Sequence, residues 1–95
     1  IYTAPIAHAA QKGYTEVVEA LIAAGARVDP TQPTMTTPLH LAARRNHASV
    51  VEALMRGGAD VSRVREDGST ALHIAFQEGG AETMRVLLAW GASPN

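Results

Sequence analysis

Four histidines, His8, His40, His47 and His73, are the residues of this 95-residue chain whose chemistry is most versatile. A metal site would need three or four such donors at the spacings that helices and turns impose, and cysteine is absent. His40 and His73 lie 33 positions apart, while His8 is one position out of that phase and His47 begins a loop. The set has no standard ligand spacing, so no metal site is expected. Nucleophilic catalysis fares no better. Ser49, Ser62, Ser69 and Ser93 lack the Gly-x-Ser-x-Gly setting of a nucleophile elbow, and the carboxylates are scattered over helix ends and loops. The glycine pair of "MRGGAD" closes a helix instead of opening one, so it cannot cradle phosphate. The residues predict no catalytic residue, no cofactor and no small-molecule substrate.

The arginine pair Arg44 and Arg45, within "HLAARRNHASVVEALM", is the other candidate. A guanidinium fork can hold a carboxylate or phosphate through two bonds at once. On a helix, however, such a pair is commonly just solvated, and its meaning depends on its surroundings. Those surroundings carry no overall field: eight basic and nine acidic residues give a formal charge of -1. With one Trp, two Tyr and one Phe, none interleaved with basic residues, nucleic acid is not the expected partner. Apolar runs are broken well short of the roughly 18 residues a membrane span needs, and the first residues form no basic-then-apolar leader. The expectation is a soluble, single-domain piece of a longer intracellular chain, cytoplasmic or nuclear, for which the absence of cysteine is permissive.

What positions these residues is a repeat. "TPLHLAA" from Thr37 and "TALHIAF" from Thr70 are offset by 33 residues, and a further step back reaches "APIAHAA" at Ala4. The same offset aligns "TEVVEALIAAGARVD", "ASVVEALMRGGADVS" and "AETMRVLLAWGASPN" from residues 15, 48 and 81 without a gap. A period of this length marks stacked units that cannot bury their apolar faces alone. Pro5 and Pro38 suit a first helical turn, and Thr37 and Thr70 suit the N-cap. First helices are predicted over 5–12, 38–45 and 71–78, ended by Gly13, Asn46 and Gly79. Second helices follow over 15–24, 48–56 and 81–89, ended by Gly25, Gly58 and Gly91, with Val17, Val18, Leu21 and Ile22 as an apolar stripe opposite Glu16 and Glu19. "RVDPTQPTMT" and "DVSRVREDGS" read as short hairpins or extended loops.

These features resemble the ankyrin repeat family, in the Thr-Pro-Leu-His signature, the alanine pair, the helix-ending Gly or Asn and "GADV" at Gly58 to Val61. The resemblance implies an all-α solenoid: an ankyrin repeat array of helix-turn-helix units joined by short β-hairpins or loops. The units would be about 1–31, 32–64 and 65–95, within one domain that belongs to a longer array or multidomain chain. It further implies a concave groove, formed by hairpins and first helices, that binds a partner protein or peptide. His40 and His73 would brace loops through backbone bonds. Three departures stand out: Met35 takes the place of Gly68 at a hairpin tip that Pro30 and Pro33 stiffen, Phe76 replaces an alanine, and Trp90 falls where the other units have Ala24 and Gly57.

In this register Arg44 and Arg45 align with Gln11 and Lys12 before them and with Gln77 and Glu78 after. Six polar residues, chemically different in each unit, behave as a strip without packing duty. Thr31, Pro33, Thr34 and Thr36 continue that face on one loop, and Val64, Glu66, Asp67 and Ser69 on the next. The expected partner is an acidic or phosphorylated segment facing Lys12, Arg44 and Arg45, with Arg63 or Arg65 assisting. An alternative is a substrate-recruiting or regulatory segment of a larger enzyme, such as a ubiquitin-ligase adaptor, kinase or microbial effector. Val86, Leu87 and Trp90 are expected to be under-covered, and Phe76 and Trp90 are placed to pack on further repeats or another chain.

Overall fold

A computed structural model describes residues 4–30 and 35–91. Six helices follow one another: α1 (Ala4–Lys12), α2 (Thr15–Ala23), α3 (Pro38–Arg44), α4 (Ala48–Arg56), α5 (Ala71–Glu78) and α6 (Ala81–Ala89). Their bounds agree with the sequence expectation to within one residue. The differences are Ala4, which joins α1, and Ala24 and Arg45, which are C-caps instead of helical residues.

Each helix pair turns back within two or three residues, which sets the second helix antiparallel to the first. The turn works through a left-handed residue. Asn46, at φ 57, is the only non-glycine with positive φ among the described residues, and it stands where Gly13 and Gly79 stand. In the middle pair the His47 N–H donates to the Ala42 carbonyl at 3.0 Å and the Asn46 N–H to the Ala43 carbonyl at 3.2 Å, satisfying helix-end carbonyls that would otherwise be orphaned.

The pairs stack in two rows. The inner helices α1, α3 and α5 pack side by side, as do the outer helices α2, α4 and α6, and each inner helix packs on its own outer helix. Small residues permit the inner row: Ala9, Ala10, Ala42, Ala43 and Ala75 are all buried, with Ile6, Leu39 and Leu72 beside them. The outer row contributes Val18, Val50, Val51, Leu54 and Leu87, each fully buried.

Two expectations about apolar faces need correction. Val17 is 48% exposed although Val50, its counterpart, is fully buried. That position faces the preceding unit, and α2 has none among the described residues. Leu87 is fully buried, Val86 is partly buried, and the uncovered apolar residues of the last unit are Phe76 at 73%, Trp90 at 44% and Leu88 at 43% exposure. Ala10 and Ala43 are buried by the next inner helix; Phe76 holds the same position on the outward side of α5.

No strand occurs among the described residues. The second connection instead carries a tight turn in which the Gly68 N–H donates to the Arg65 carbonyl at 2.9 Å and the Arg65 N–H to the Ser69 carbonyl at 3.0 Å. Gly68 sits at φ 84 there; the different route expected of the first connection, at Met35 and the residues before it, falls on a stretch that lies largely outside the described residues. Thr31, Pro33 and Thr34 lie outside the described residues. No helix among the described residues is long and apolar enough to cross a membrane.

Candidate functional site

The ends of the inner helices form the site's frame, and the histidines are what hold that frame. Thr37 caps α3: its Oγ1 accepts from the His40 N–H at 3.1 Å, and His40 Nδ1 accepts from the Thr37 N–H at 3.1 Å. This reciprocal cap places an acceptor at Nδ1 and therefore the ring proton on Nε2, which donates to the Arg63 carbonyl at 3.0 Å. One buried ring thus ties the first turn of α3 to the next connecting loop. Burial pushes the His40 pKa below its ordinary value, with the charge of Arg65 acting in the same direction and the bond to the Arg63 carbonyl opposing it. His73 repeats the cap with Thr70, at 3.3 and 3.2 Å, but its ring is exposed and makes no bond beyond the cap among the described residues. Among the described residues the bracing expected of both histidines reaches a second loop only at His40.

His47, expected only as a turn residue, does more. Its Nε2 donates to the Gln11 carbonyl at 3.1 Å, and the ring fills the space above Gly13, where a Cβ would meet it at 2.8 Å. The next junction uses different chemistry at the same place. Thr83 Oγ1 donates to Asn46 Oδ1 at 2.7 Å, and a Cβ on Gly80 would approach that oxygen to 2.7 Å. A third tie joins the loops, from the Asp60 N–H to Asp29 Oδ2 at 2.9 Å. The signals were present as covariant departures from the repeat: Tyr14, His47 and Gly80 occupy one register position, and Val17, Val50 and Thr83 another.

On this frame Gln11, Leu41, Arg44, Arg45 and Glu78 line an open depression of about 320 Å³. Three inner helices contribute to it through their last turns. Of the six positions predicted there, Gln11, Arg44, Arg45 and Glu78 come together; Lys12 and Gln77 are exposed outside it. Leu41, half-buried, adds an apolar side chain to the lining that a reading of polar positions alone misses. The side chains of Arg44, Arg45 and Glu78 make no hydrogen bond or ion pair among the described residues. The ion pairs lie elsewhere, at Arg56 with Glu52 (2.8 Å) and Arg65 with Asp67 (3.9 Å). Arg65 is thus directed to its own turn instead of to the arginine pair.

Along the loop, Glu66 is exposed at the tip, and Thr36 is half-buried beside the α3 cap. Asp67 and Ser69, expected as partner contacts, are engaged with each other: the Ser69 N–H donates to Asp67 Oδ1 at 3.0 Å, which lowers the Asp67 pKa. Asp60 is lowered similarly, by the side chain and then the backbone of Ser62, at 2.6 and 3.0 Å. Thr34 lies outside the described residues. No group of three or more His, Asp or Glu that could hold a metal occurs among the described residues.

Stacked helix pairs, a Thr-His cap that reaches the next loop and left-handed turns at a common register define a helical repeat protein. A family model of ankyrin repeats, in three copies, matches residues 6–95, and the chain belongs to that family. Such repeats are generally protein–protein interaction modules and typically non-catalytic. Among curated proteins no match to the chain was found.

Proposed function

We propose that the chain is an adaptor-type module that binds an acidic segment of a partner protein, carboxylate or phosphorylated, across the ends of its inner helices. The supporting observation is the depression itself: side chains from three helices line it, and both guanidiniums on its wall lack an ion-pair or hydrogen-bond partner among the described residues. Forks without a partner among the described residues, beside an apolar side chain, can bind an anion without first breaking a bond there, and the arginines also complement the negative end of α3. Thr36 and the loop tip at Glu66 supply rim contacts in this reading, with Asp67 and Ser69 shaping the turn that carries them. The module would act inside the cell, in the cytoplasm or nucleus, a compartment consistent with a chain without cysteine.

The test is the double substitution Arg44→Glu with Arg45→Glu. Partner capture by the full-length protein should fall at least tenfold. Stability should fall by only about 1–2 kcal/mol, since two favourable charges at the exposed helix end give way to two unfavourable ones, each a screened contribution of a few tenths of a kcal/mol. Undiminished capture would remove the arginine pair from the interface.

A further inference from the structure

Glu78 is the least expected member of the depression. It ends α5, where the helix dipole disfavours a negative charge, and it has no cationic partner among the described residues although two arginines line the same space. Arg44 and Arg45 are consecutive on their helix. Residues at i and i+1 diverge by about 100° and do not face one another, so in this reading each fork takes an anion of its own. The lining thus presents two separate cationic points on α3 and one anionic point on α5.

Building on the proposed function, we infer that the bound segment is dipolar, with two adjacent carboxylate side chains against Arg44 and Arg45 and a lysine or arginine against Glu78. Two carboxylates and one cation carry a net charge of about -1, which neutralises the about +1 of the lining at pH 7. Packed helices lie about 8–10 Å apart, and a polyproline-II backbone advances about 3.1 Å per residue with about three residues per turn, so the residue about three positions from the nearer carboxylate returns to the same side at that distance and carries the cation. A uniformly acidic segment crossing from α3 to α5 would set a carboxylate against Glu78, and that repulsion gives selectivity as well as orientation. Leu41, the apolar residue of the lining, favours small or apolar intervening residues.

Four blocked peptides titrated into the chain by NMR chemical shift test this: Gly-Glu-Glu-Gly-Gly-Lys-Gly, the same with Gln for Lys, the same with both Glu replaced by Gln, and a form with phosphoserine-Gln in place of Glu-Glu. The first should bind about fivefold more tightly than the second, the range of a partly exposed ion pair, and Glu78→Gln should erase that difference while leaving binding of the second unchanged. The third should bind at least tenfold more weakly than the first. Equal or tighter binding of the second peptide to the native chain overturns the dipolar inference and leaves acid recognition standing. Tighter binding of the phosphoserine peptide than of the first overturns the two-carboxylate assignment. If none of the peptides perturbs Arg44, Arg45 or Glu78 resonances, the proposed function falls together with the inference.

Discussion

Thr83 Oγ1 donates a hydrogen bond to Asn46 Oδ1 at 2.7 Å, joining the outer helix of the last unit to the inner turn of the unit before it. Each residue departs from its repeat position, Thr83 from valine and Asn46 from glycine, and each departure explains the other. Thr83 is fully buried, so its hydroxyl requires a partner, and Asn46 supplies one from the left-handed turn it tolerates.

The pair should therefore behave as a unit. Thr83→Val removes a buried hydroxyl but strands the Asn46 oxygen, and is expected to destabilise by about 1 kcal/mol. With Asn46→Gly in the background, the same change should be close to neutral. Urea unfolding of the four proteins measures the coupling. A value below about 0.3 kcal/mol would mean that the bond contributes nothing beyond its separate parts.

Gly13 and Gly25 have positive φ values of 80 and 94, but only Gly13 faces a neighbour, the His47 ring, which lies 2.8 Å from where an alanine methyl would stand. Gly25→Ala should carry the left-handed backbone penalty alone, about 1–2 kcal/mol. Gly13→Ala should exceed it by about 1 kcal/mol more as the ring is displaced from the Gln11 carbonyl. Equal losses in chemical denaturation would show that the ring yields freely.

The pH dependence of stability should carry the signature of His40. Its folded pKa lies below the ordinary value of about 6.5, so the folded state binds fewer protons than the unfolded one between the two. The stabilising contribution is fully present above about 6.5 and is lost as pH falls from there towards the depressed folded value. Urea midpoints of the native chain should drop over that window, and those of His40→Gln should drop less while starting lower at neutral pH. Parallel curves would assign the decline to other groups.

Leu87 and Phe76 make a contrast within the last unit. Leu87→Ala, at a fully buried position, should cost about 2–5 kcal/mol, whereas Phe76→Ala, at a side chain 73% exposed, should move stability by about 0.5 kcal/mol or less. Thermal or urea denaturation separates them. A large loss at Phe76 would show that its ring is covered in solution, and self-association measured alongside would identify a second copy as the cover.

The helices, their caps and the left-handed turns were legible in the sequence because they are local. Thr37 and Thr70, Pro38, and Gly13, Asn46 and Gly79 act on backbone groups within a few residues, and repetition at 33 residues makes each signal visible more than once. Burial was legible only where a residue faces its own unit. Val17 and Val50 are the same amino acid at the same register, yet one is half exposed and the other fully buried, because coverage there comes from a neighbouring unit.

The sequence by itself determined the array, its period and the polar strip at the inner-helix ends. Tertiary structure alone decided which of those polar residues share a depression, admitting Gln11, Arg44, Arg45 and Glu78 and leaving Lys12 and Gln77 outside. It also decided that the junctions are locked differently, by His47 over Gly13 and by Asn46 with Thr83. The physical reason is range. Caps and turns are fixed by bonds spanning a few residues of backbone, whereas these contacts span 36 and 37 positions and exist only once the stacking of neighbouring units has set the distance between their helices.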